Sequence, residues 1–160
     1  MNFLSILLQL TQVPQDGGPV YAETDMSGWI AEPWNAVSSL ALVIPAVIWA
    51  IKLKGNWKRY TFIYYSVPLL VAGGTGSLLY HASRESTWLL YLDVLPTAIL
   101  TISVGIYFWW KLLKNWFYVL AIVVPITAFR IYLLLYHTSE ASVNLSYFLA
   151  GVAIFLPGSS

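Results

Sequence analysis

The sequence predicts an all-α protein, a polytopic transmembrane helix bundle forming one domain. Three observations predict it. Of 160 residues, 59% are hydrophobic and 9% are charged, where a soluble domain carries about 25% charged residues. That deficit leaves too little polar surface to keep a folded domain in water. The apolar runs are continuous rather than alternating, and a backbone in lipid must satisfy its own hydrogen bonds, so helices are preferred to strands. Lys and Arg also fall unevenly among the loops between the runs, as orientation in a membrane requires. A net charge of +1 supplies no field that calls for nucleic acid, and the lack of cysteine excludes disulfides, thiolate metal sites and cysteine nucleophiles.

Residues 1–10 are apolar but short, with no basic n-region and no small-residue cleavage site. They are expected to form an interfacial or docked segment within an extracytoplasmic N-terminal region, 1–32. The helical domain, 33–160, is laid out as five spans at 33–51, 60–82, 88–110, 116–136 and 143–156. The fifth is short for the ~20 apolar residues of a crossing helix. Lys52, Lys54, Lys58 and Arg59 lie in the first loop, with Lys111 and Lys114 in the third. Arg84 stands alone on the other side, beside Asp16, Glu23, Asp25, Glu85 and Glu140. The first and third loops are therefore expected to be cytoplasmic, and the N-terminus outside or in a lumen. Trp57, Trp109, Trp110 and Trp116 fall at the cytoplasmic ends, as an aromatic belt would. Pro68 and Pro125 lie inside spans, and Gly73, Gly74 and Gly76 suit close helix approach.

The chemistry gathers at the outer ends of spans two and three. Ser77 and His81 are four residues apart and share one helix face. Asp93 lies one turn into span three, which returns after a short bend from 83 to 87, and Glu32 immediately precedes span one. Four polar groups from three helices can thus converge at one level, where ionisable groups are costly and mark sites. Each has a plainer reading. Ser77 can bond back to its own helix carbonyl, His81 can be an interfacial group, and Glu32 can complement a helix dipole. Asp93, flanked by Tyr91, Leu92, Val94 and Leu95, needs a partner or a proton. Arg130, inside span four, either snorkels to the surface or pairs with Asp93 or a substrate oxygen. His137 and Glu140 read as a solvated loop.

The pattern Gly76-Ser77-x-x-x-His81, followed by Leu92-Asp93-x-Leu95-Pro96, resembles the alkaline ceramidases, within the superfamily that includes the adiponectin receptor-like proteins. The segment from Trp29 through Glu32-Pro33-Trp34-Asn35 to Leu40 is similar to the ceramidase segment that opens the first helix. The resemblance covers about the first two thirds of the chain. It implies a seven-helix fold, of which about five spans are present, and a zinc hydrolase that cleaves the amide of ceramide to a sphingoid base and a fatty acid. It implies that His81 binds zinc, that Ser77 and Asp93 are catalytic or hold the reacting water, and that Glu32 belongs to a calcium site. Asp25 and Glu23 are candidate calcium partners.

The family supplies two further zinc ligands as His-x-x-x-His on its last helix, and this chain has no such motif. The expectation is a partial protein with an incomplete metal site. The chemistry implied is amide hydrolysis with Asp93 as proton acceptor and Ser77 steadying the water or the oxyanion. The alternatives are a non-catalytic lipid-binding or receptor-like protein of the same fold, and a proton-coupled transporter using Asp93 and Arg130.

Overall fold

The computed structural model describes Pro14, Asp16 and residues 18–56, 58–136 and 140–158. Residues 1–10, Trp57 and His137 lie outside the described residues. Those described form six helices and no strand: α1 (Pro33–Ser38), α2 (Leu40–Lys52), α3 (Thr61–Ser83), α4 (Thr87–Leu113), α5 (Trp116–Tyr136) and α6 (Glu140–Gly158). The expected first span is therefore two helices in succession, separated at Ser39. Taken together, Pro33–Lys52 is one of four segments long and apolar enough to cross a membrane, with Thr61–Ser83, Thr87–Leu113 and Trp116–Leu133. Along these segments large apolar side chains such as Ile44, Ile48, Val94, Ile99, Phe117 and Val124 are exposed. Such faces suit lipid rather than water. The protein is a helical membrane bundle.

The chain divides into two compact units, 1–97 and 98–160, the division falling within α4. In the first, α1 and α2 pack on α3. Two glycines make the packing around α3 close. A Cβ at Gly74 would lie 2.7 Å from Val43 Cγ2, and one at Gly76 would lie 2.6 Å from the Leu92 carbonyl carbon. Any side chain at either place would push α2 or α4 away from α3. The glycine-rich stretch thus brings Ser77 and His81 against their neighbours on both sides.

Helix ends are built from local chemistry. Pro33 opens α1, where its missing N–H costs nothing, and the Glu23 carboxylate accepts the free N–H groups of Trp34 (2.7 Å) and Asn35 (2.9 Å). Glu23 therefore fills the helix-end role that Glu32 could have taken. At the far end of α3, Arg84 adopts φ 52°, and its N–H bonds Tyr80 O at 2.7 Å. This left-handed residue ends the helix. The hydroxyl of Ser86 then caps α4 by accepting from Trp88 N–H at 3.2 Å.

The second unit is held by apolar packing. Trp109, Val119 and Val123 are buried together with Ile102, Ile106, Trp110, Leu113 and Ile122 against them, and α5 packs on α6. Trp109 is buried rather than exposed in an aromatic belt, and its indole N–H donates to Ala153 O at 3.0 Å.

Candidate active site

The last turn of α3 leaves carbonyls without intrahelical donors. The N-terminal segment supplies them: Glu32 N–H donates to His81 O and Ala31 N–H to Ala82 O, both at 3.0 Å. These two bonds fix Glu32 beside His81, although 49 residues separate them. The Glu32 side chain is fully buried and is engaged at both oxygens. One oxygen accepts from the Thr24 hydroxyl and the Arg84 guanidinium, the other from His81 Nδ1.

Arg84 is the residue that sequence reasoning missed. Counted as a lone cation in a short outer loop, it is 1% exposed. Its Nε and Nη2 donate to the two oxygens of Asp16 at 2.7 and 3.0 Å, and Nη1 donates to Pro19 O at 2.8 Å as well as to Glu32. Its guanidinium lies 4.8 Å from the centre of the Tyr80 ring. Burial alone would raise the pKa of Glu32, but bonds from Thr24, His81 and Arg84 outweigh it and hold the carboxyl below its ordinary value. Asp16 behaves alike: burial opposes its charge, and Arg84 with the Gly18 N–H overcomes that. Burial disfavours the Arg84 charge in turn, and the pairing with Asp16 and Glu32 lifts its pKa above the usual arginine value.

Across the ring from the Nδ1 that meets Glu32, Nε2 of His81 points the other way. It lies 3.7 Å from Asp93 Oδ2, too far for a hydrogen bond. The Asp93 carboxylate also faces the Ser77 hydroxyl. Ser77 has a partner beyond its own helix. Its oxygen is 3.0 Å from Ser39 Oγ, contributed by the break between α1 and α2. Tyr21 and Tyr80 present ring edges to His81, with centroids 5.8 and 5.0 Å away. The structure thus brings Glu32, Ser77, His81 and Asp93 together, and adds Arg84, Asp16 and Ser39.

Other candidate residues have partners of their own. The exposed Asp25 carboxylate accepts from the Ser27 hydroxyl at 2.6 Å and the Ser27 N–H at 2.9 Å, and these bonds hold its pKa below the ordinary value. In the second unit, Arg130 Nε donates to the carbonyl of Ser146 at 3.0 Å.

Of these groups, the His81 imidazole has the chemistry of a zinc donor. A histidine whose other nitrogen donates to a carboxylate is also oriented as a metal ligand. Among the described residues, no group of three or more His, Cys, Asp or Glu side chains gathers for a metal. No family model matches this chain, and no curated protein or solved structure gives a significant match.

Proposed function

We propose that this protein is a ceramidase-like intramembrane hydrolase that cleaves the amide of ceramide or a related lipid. The observation that carries the reading is the meeting of His81 Nε2, Asp93 and Ser77 in one place, against a chain whose helices otherwise present apolar surface. An ionisable cluster in such a setting needs a reason to be kept. The amide substrate would reach it from the membrane, between helices.

In this reading Asp93 takes the proton of the attacking water as its oxygen adds to a carbonyl held near Ser77, then returns that proton to the amide nitrogen as the C–N bond breaks, giving the amine and the carboxylic acid. The Ser77 hydroxyl donates to the oxygen on which negative charge develops, and Ser39 keeps that hydroxyl in place. His81 Nε2 would hold zinc, with further donors from outside the described residues. Zinc, when bound, would acidify water to a pKa near 7 and polarise the carbonyl. Calcium has less support, because both Glu32 oxygens already face protein donors and Asp25 faces Ser27. The proposed orientation puts the first and third loops in the cytoplasm and the N-terminus outside or in a lumen.

A second reading, a non-catalytic lipid-binding protein, is favoured by the small donor set. Zinc content and fatty-acid release, measured on purified protein in vesicles containing ceramide, separate the two. Stoichiometric zinc and release of fatty acid support the hydrolase. Absence of both leaves lipid binding.

A further inference from the structure

We propose that Arg84 is a positioning residue for the His81–Asp93 site, acting through Glu32. Nothing in the hydrolase chemistry above calls for a buried arginine, yet Arg84 is among the largest fully buried side chains. Its contacts explain the cost. Asp16 grips the guanidinium in a two-pronged pair, which fixes the plane and direction of its remaining nitrogen. That nitrogen holds one oxygen of Glu32. The other oxygen is then turned to His81 Nδ1. A ring whose Nδ1–H is committed in this way presents the bare Nε2 toward Asp93. The order Asp16, Arg84, Glu32, His81, Asp93 is thus a chain of orientation running from the N-terminal segment to the reacting groups. Thr24 alone, a single hydroxyl on the same Glu32 oxygen, does not fix the carboxylate plane.

The inference rests on the reading of His81 and Asp93 as the reacting groups, but its test does not depend on turnover. The chain contains two histidines, so 15N-histidine labelling of the full protein in lipid nanodiscs gives two ring systems, and His137→Gln assigns them. At neutral pH the wild type is expected to show His81 with the proton on Nδ1. Arg84→Gln should lose that single tautomer and show a mixture of both, while Arg84→Lys keeps most of it and the His137 signals stay put. If Arg84→Gln does not fold, Asp16→Asn decides: it retains Arg84 but loosens it, and should broaden or divide the His81 signals. A wild-type ring protonated on Nε2 overturns the proposal, as does an unchanged His81 signature in folded Arg84→Gln or, failing that, in Asp16→Asn. Where the wild type releases fatty acid, Arg84→Gln should lower kcat by about 10–100-fold with KM little changed. A wild type that shows the Nδ1–H ring and no release keeps the orientation chain and removes the hydrolase reading.

Discussion

The two units solve the problem of burying a chain in different ways. Among the described residues, the buried polar side chains of the first unit are Asp16, Glu32, Ser39, Ser77, His81 and Arg84, whereas the second buries Ser146. The second closes around Trp109, Val119 and Val123. An apolar core is the less demanding solution, since every buried charge needs a partner of good geometry. The first unit carries such a cluster with its charges paired, and the second does without one among the described residues.

Breaking the pairs should therefore hurt the first unit most. Arg84→Met leaves Asp16 and Glu32 buried without their cation and is expected to cost about 3–5 kcal/mol. Arg130→Met loses one bond to a backbone carbonyl and should cost at most about 1–2 kcal/mol. Unfolding of the two variants in matched detergent compares them directly; equal losses would erase the distinction.

Acid should act selectively as well. Asp16 and Glu32 have folded pKa values below their ordinary 3.8 and 4.5. Their stabilisation is complete above those ordinary values and is lost as pH falls through the lower, folded ones. The sequence from 98 to 160 has Glu140 as its one acid. Hydrogen exchange followed from pH 7 down to 3 should show residues 18–32 losing protection before residues 116–136. Simultaneous loss would contradict the assignment of the acid response to this pair.

Smaller effects sharpen the same contrast. Gly76→Ala forces a Cβ against the Leu92 backbone and should cost about 1–3 kcal/mol. At Gly105 the nearest atom, Ala153 O, is 3.6 Å away, so alanine there should be neutral or gain up to about 1 kcal/mol of helix preference. Glu23→Ala should cost about 1 kcal/mol by baring the first N–H groups of α1.

The helices were legible because continuous apolar runs leave few alternatives, and their ends follow the polar breaks closely. The one misjudged interior was Ser39, hidden within an apparently unbroken span. Ser77, His81 and Asp93 were legible because two of them share a helix face and the third follows a short bend. Arg84 was not, since a cation in a polar bend looks like a solvated one, and its partner Asp16 lies 68 residues away. The signal was there in the charge pattern: a lone cation among segments that carry several acids is a candidate for pairing. The role of Glu32 also required tertiary contact, because its neighbours in sequence name neither His81 nor Arg84.

The hydrolysis proposed for the first unit's polar cluster makes Asp93 indispensable. Fatty-acid release from ceramide vesicles, compared between purified wild type and Asp93→Asn with matched folding, tests it most directly. Release by the wild type and its loss in Asp93→Asn are expected, since the amide cannot accept the proton. Equal release by both, or none from the wild type, would contradict it.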